Sequence, residues 1–231
     1  MSKALAAFTA TTNRVIALAE YQTTARQTTA DAGPVCDDMI RACVVLSVAA
    51  MDTYFTRKFA YVLVPFLKRK KTPGKHLVAL LSDAGLDTEQ ALLLLGMDRP
   101  YRRILTLIRA HLSSYTTQRF NKIDELFACL GVSDLSKHAE GKTKKKTLLK
   151  CVRILVERRH DIAHEGDLND HGKLHSVDPV MLVRRIRHLM LFVAAADDII
   201  DSAVKPKRKK KAAAEPVPVN GAVPAVQAAT A

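Results

Sequence analysis

The run Arg158-Arg159-His160-Asp161-Ile162-Ala163-His164-Glu165-Gly166 holds the side chains in this chain best suited to chemistry. Arginine stays protonated and grips phosphate through two parallel hydrogen bonds. Histidine exchanges protons near neutral pH without special tuning. Arg159 and His164 thus pair a phosphate holder with a proton shuttle, the minimum set for breaking a ribose–phosphate bond. Their spacing raises a geometric problem, because on an ideal helix it turns the two side chains about 140° apart. Either the helix loosens before His164, or the site draws residues from two chains. Gly166 and the polar stretch Asp167-Leu168-Asn169-Asp170 predict an early helix end.

The same run admits blander readings. A basic helix end is favoured simply by the negative pole of the helix dipole. His160 and His164, at i and i+4, also share one side of a helix, as metal ligands do. Arg158 and Arg159 oppose a cation there, and no cysteine is close in sequence. Asp161 stands where an HExxH metalloprotease needs glutamate. Neither a metal nor a cofactor is expected.

A net charge of +13 over 231 residues favours a polyanionic partner. The segment from Lys205 onward supplies +5 of that charge and leaves +8 on residues 1–204, so the body is basic in its own right. Arg102-Arg103, Lys144-Lys145-Lys146 and Arg158 are candidate contacts to RNA phosphates, though charge runs are also ordinary solvated faces. Aromatics are only 5 %, which argues against a stacking sheet that reads bases. Cys36, Cys43, Cys129 and Cys151 form no CxxC pair and read as reduced cysteines of a cytoplasmic protein. The apolar runs stop short of the roughly 20 residues a membrane span needs.

The elements that must position Arg159 and His164 are all predicted to be helices. Residues 3–30 form a weakly amphipathic segment, packed on the body or on a partner, that stops at Asp31-Ala32-Gly33-Pro34. Apolar residues from Met39 to Leu63 recur at three- and four-residue spacing, which predicts one long helix, or two with a bend, ending at Lys68–Gly74. Shorter pieces follow to Gly96, then a helix opened by Pro100, another over Asn121–Leu130, and a basic polar loop over Lys137–Lys146. Thr147–His160 and Asp178–Val204 complete the set, and no window alternates like a strand. The expected fold is all-α, a bundle of four to five main helices. The expected organisation is an N-terminal helical extension (1–34), a helical domain (35–204) and a disordered basic, Ala/Pro-rich tail (205–231). The cluster Lys205–Lys211 reads either as a nuclear localisation signal or as a nucleic-acid-binding arm.

Four stretches carry a family resemblance: Glu157–His164, Leu46–Phe55, Ser113–Gln118 and Ile123–Gly131. The first resembles the signature of the HEPN superfamily, an Arg followed a few residues later by a His. His160 stands where that family commonly has a polar residue such as Asn. With the order of helices, the stretches resemble the RiboL-PSP-like branch over about residues 35–200. The resemblance implies a HEPN-like bundle that dimerises and brings two Arg–His motifs into one cleft. It further implies a metal-independent endoribonuclease of a toxin–antitoxin or antiviral system, with RNA as substrate and a neutralising antitoxin or regulatory partner. Arg159 would hold the scissile phosphate, and His164 would act as general base or acid for attack by the ribose 2′-OH, leaving a 2′,3′-cyclic phosphate. His160 would assist His164, and Asp52, an acid on an early helix, would orient the Arg. The alternative is a non-catalytic HEPN module that binds RNA or a protein.

Overall fold

In the computed structural model the described residues are 2–29, 32–69 and 72–204, and they form nine helices with no strand among them. These are α1 (Lys3–Thr28), α2 (Gly33–Arg69), α3 (Lys75–Asp83), α4 (Thr88–Leu95), α5 (Pro100–Ser114), α6 (Phe120–Ala128), α7 (Leu135–Thr143), α8 (Leu148–His164) and α9 (Pro179–Val204). The expected tail, with its Lys205–Lys211 cluster, lies outside the described residues.

The α1 helix packs on the body. Phe8, Thr12, Val15, Ala19 and Gln22 are its buried residues, at alternating four- and three-residue steps that make one stripe. Thr12 is tolerated inside because its hydroxyl donates to the Phe8 carbonyl at 3.0 Å. Cys36 lies against the Gln22 carbonyl, Cys43 against that of Val15, and Phe8 against Tyr54, so α1 and α2 run antiparallel. Gly33 and Pro34 open α2 rather than merely closing α1, a position proline tolerates because a first-turn N–H has no partner to lose. Of the two alternatives, α2 is the single helix, and it continues through Pro65 near its end.

The core gathers where α2, α6 and α9 meet. Phe55 stacks edge-on against Phe127 at 6.0 Å between ring centroids, and Phe192 lies 5.8 Å from it. Beside these rings Lys58 is fully buried. Its ammonium is 2.5 Å from Asp197 and 2.7 Å from Asp201 on α9. Asp197 also accepts from the Tyr54 hydroxyl (2.8 Å) and the Ser2 hydroxyl (2.9 Å), which ties both α1 and α2 to α9. Burial and the Asp197 charge push the Tyr54 phenol well above its ordinary pKa, so it stays a donor.

The segment expected as a basic loop over 137–146 is in part a helix, α7. Leu135 and Ala139, one turn apart, are fully buried, and the Ser136 amide donates to the Asp124 carboxylate of α6 at 2.8 Å. This cap comes from another helix, and the apolar stripe is only two residues long, so periodicity in the segment itself carries no signal. Likewise α8 runs one turn beyond His160, to His164.

Replacing Lys58 with Met strands Asp197 in the interior, and removing one partner of a buried pair costs about 3–5 kcal/mol. Urea unfolding of Lys58→Met should show that loss, and adding Asp197→Asn should reduce it.

Candidate active site

Arg159 and His164 both lie on α8, which keeps its helical form through His164. The expected loosening before His164 does not occur. Instead the long Arg159 side chain reaches round the helix, and its Nη1 lies 3.4 Å from His164 Nε2. A guanidinium only donates, so Arg159 is the donor of any hydrogen bond across this contact. The His160 ring packs on His164 with centroids 4.7 Å apart. Among the described residues no cluster of three or more His, Cys, Asp or Glu side chains gathers as a metal site.

The three side chains line an open cleft of about 810 Å³. One wall is the α8 face that carries Arg153, Glu157, His160, Asp161 and His164 at helical spacing. The facing wall is Thr116, Gln118 and the start of α6, with Arg119 and Lys122. Four cations (Arg119, Lys122, Arg153 and Arg159) and two carboxylates (Glu157 and Asp161) thus line the cleft. Lys122 is held by Glu125 at 2.7 Å, a hydrogen bond that raises its pKa. Phe120 joins this wall to the core through Phe192, with ring centroids 5.4 Å apart.

Asp52 does not touch Arg159. Its carboxylate accepts from the Thr117 amide (2.7 Å), the Thr117 hydroxyl (2.6 Å) and the Gln118 side chain (3.3 Å). An acid on α2 therefore fixes the wall facing Arg159 and His164 rather than the arginine itself. The 115–118 segment crosses α2 at Asp52, which is why the carboxylate meets that segment.

Arg158 is committed elsewhere. Its Nη1 is 2.7 Å from Asp167 Oδ1 in an ionic contact, and its Nη2 donates to Asp167 Oδ2 at 2.9 Å. Arg41 of α2 grips the same carboxylate at 2.6 Å, and both arginines donate to the His175 carbonyl. Arg158 thus turns its guanidinium to Asp167 and does not line the cleft. Asp167 itself takes the left-handed backbone conformation (φ 60°), which aspartate tolerates better than most residues.

The remaining candidates stand apart from the cleft. Lys144, Lys145 and Lys146 are exposed at the other end of α8, roughly 20 Å from Arg159 at 1.5 Å rise per residue. Lys145 instead neighbours His188, whose pKa is lowered by burial and then by Lys145 and Arg184. Arg102 and Arg103 are exposed near the start of α5, and Arg103 donates to Gln90 at 3.3 Å. Arg119, Lys122 and Arg153 are cleft residues that the sequence reading passed over. The polar spacing 153, 157, 160, 164 on α8 offered a signal for Arg153. Arg119 and Lys122 offered none, because only tertiary contact brings α6 there.

An all-helical bundle with a net-positive, two-walled cleft at the end of one long helix defines the class of protein. The chain belongs to the RiboL-PSP-HEPN family of the HEPN superfamily, whose family model matches residues 11–202, from within α1 almost to the end of α9. That membership points to an RNA-related function. No curated protein and no solved structure matches the chain.

If Asp52 fixes the wall, Asp52→Ala should speed hydrogen exchange at the Thr117 amide. Leaving that donor without its carboxylate costs about 1–3 kcal/mol, so exchange should rise on the order of tenfold or more. An unchanged rate would show that the wall is held by other contacts.

Proposed function

We propose that the chain is a metal-independent endoribonuclease with Arg159 and His164 as its catalytic pair. The observation that carries this reading is the approach of the Arg159 guanidinium to His164 Nε2 at 3.4 Å in the open cleft. A phosphate drawn to Arg159 sits beside a nitrogen able to take a proton. In the proposed step, His164 removes the proton of the ribose 2′-OH as O2′ bonds to phosphorus. The P–O5′ bond breaks, and the leaving O5′ takes a proton. Arg159 neutralises charge that grows on the phosphoryl oxygens. The products are a 2′,3′-cyclic phosphate and a 5′-hydroxyl, and DNA, lacking the nucleophile, is spared.

The proposed assembly is a homodimer in which the second copy's His164 supplies the other proton-transfer role. His160, packed at a tilt against His164, tunes that ring, and Asp52 keeps the facing wall in register. Arg153 and Arg119 replace Arg158 as the cleft's phosphate contacts, while Arg102, Arg103 and Lys144–Lys146 remain outlying ones. The proposed setting is cytoplasmic, in a toxin–antitoxin or antiviral system with a neutralising protein partner, or nuclear if Lys205–Lys211 directs the chain there. No helix among the described residues is long and apolar enough to cross a membrane.

The test is cleavage of mixed RNA in excess EDTA. The wild type should leave cyclic phosphate ends, and His164→Ala should lower the rate by about 10²–10⁴-fold, the usual worth of a general acid or base. Arg159→Ala should lower it by a similar factor. RNA bound but never cut, in the presence of a competent dimer, would favour the binding module instead.

A further inference from the structure

The cleft accommodates the reacting phosphate, yet a second basic surface begins where its facing wall ends. Along α5, Arg102, Thr106, Arg109 and Ser113 recur at four, three and four residues, so they form one stripe, and all four are exposed. At 1.5 Å per residue the stripe runs for about 16 Å. Its C-terminal half borders a groove of about 470 Å³, shared with Arg57 and Tyr61 of α2 and Lys3 of α1. Among the described residues no acidic side chain lines this groove. Among the described residues Lys3, Arg57, Arg102 and Arg109 have no acidic partner, unlike Arg41, Arg158 and Lys58. Arg57 and Tyr61 are one helical turn apart, and Tyr61 is 62 % exposed. Ser113 lines the groove and Thr116 lines the cleft, so at most about 10 Å of chain separates the two. Asp52 pins that dividing segment.

Solvent-facing cations without counter-charges repel one another, and the Tyr61 ring set among them is largely exposed. Single-stranded nucleic acid satisfies both: phosphates take the cations and an unstacked base takes the ring. We propose that this groove is a second RNA site. A single strand running out of the Arg159–His164 cleft crosses Ser113–Gln118, sets its phosphates against Arg57, Arg109 and Lys3, and stacks a base on Tyr61. Arg102 extends the same track. The direction of the strand rests on the nuclease reading of the cleft; binding in the groove does not.

The test measures binding by fluorescence anisotropy in a His164→Ala background, which should leave RNA uncut. A labelled trinucleotide is compared with an oligomer of about 12 nucleotides, within the range of single-strand site sizes. Adding Tyr61→Ala should weaken the longer RNA on the order of ten- to a hundredfold, and leave the trinucleotide unchanged. Adding Arg57→Gln with Arg109→Gln should flatten the slope of log affinity against log salt by about 1.4, at 0.7 per phosphate contact. Thermal melts show whether each variant is folded, and Tyr61→Phe should retain affinity. The proposal is overturned if the parent does not bind the longer RNA, or if the variants bind it equally well. Equal losses with both lengths overturn it too. So do variants that turn a dimer into a monomer with RNA affinity intact, since the groove is then a protein interface. Wild-type cleavage is scored separately. RNA held through Tyr61 but never cut removes the nuclease reading alone, and RNA cut with no dependence on Tyr61 removes the groove alone.

Discussion

The carboxylate of Asp167 is the point on which the geometry of the cleft depends. It is 1 % exposed and lies between two guanidiniums, Arg41 from α2 and Arg158 from α8. A buried carboxylate held by two arginines is stable only while both remain, because each charge is desolvated and compensated by the others. The Asp167 amide bonds back to the Asp161 carbonyl at 3.2 Å, and its own carbonyl accepts from His175 at 2.9 Å. The end of α8 is thereby stapled to α2 immediately after His164. That staple lets the helix hold its form to the last residue that matters, and it sets which face of α8 meets the opposite wall.

A second charged centre does the same for the far side of the bundle. Lys58, Asp197 and Tyr54 lock α2 to α9, with Ser2 adding α1. The α2 helix is common to both centres and also carries Asp52, which positions the Thr117–Gln118 wall. One long helix therefore references both walls of the cleft. Adjacent arginines have divided their tasks accordingly: Arg158 is structural, whereas Arg159 turns toward His164. Two residues identical in type and one apart in sequence differ only in which side of α8 they occupy.

Much of the fold was legible in the sequence. Apolar spacing marked α2, α5, α8 and α9 because each buries a continuous stripe, and a stripe is a local property of sequence. Pro100, Pro179 and the glycines near the breaks placed several ends. What periodicity missed was α7, a helix of nine residues with little apolar content, held by the Asp124 cap and by Leu135 and Ala139. The site was legible to the same degree. Arg159 and His164 were recognisable as a pair, but an ideal-helix projection treats side chains as points on a cylinder. It therefore understated the reach of an arginine.

By itself the sequence determined the helical class, the basic character of the chain and the presence of an Arg–His pair near one helix end. Those follow from residue type and short-range spacing, which act before any long-range contact forms. Only the tertiary structure decided which charges are spent and which are free. Burial beside Asp167 consumes Arg158, burial beside Asp197 consumes Lys58, and the crossing of the 115–118 segment over α2 gives Asp52 to a wall rather than to an arginine. The physical reason is that the worth of a charge depends on its solvation and its partners, and both are set by residues far away along the chain.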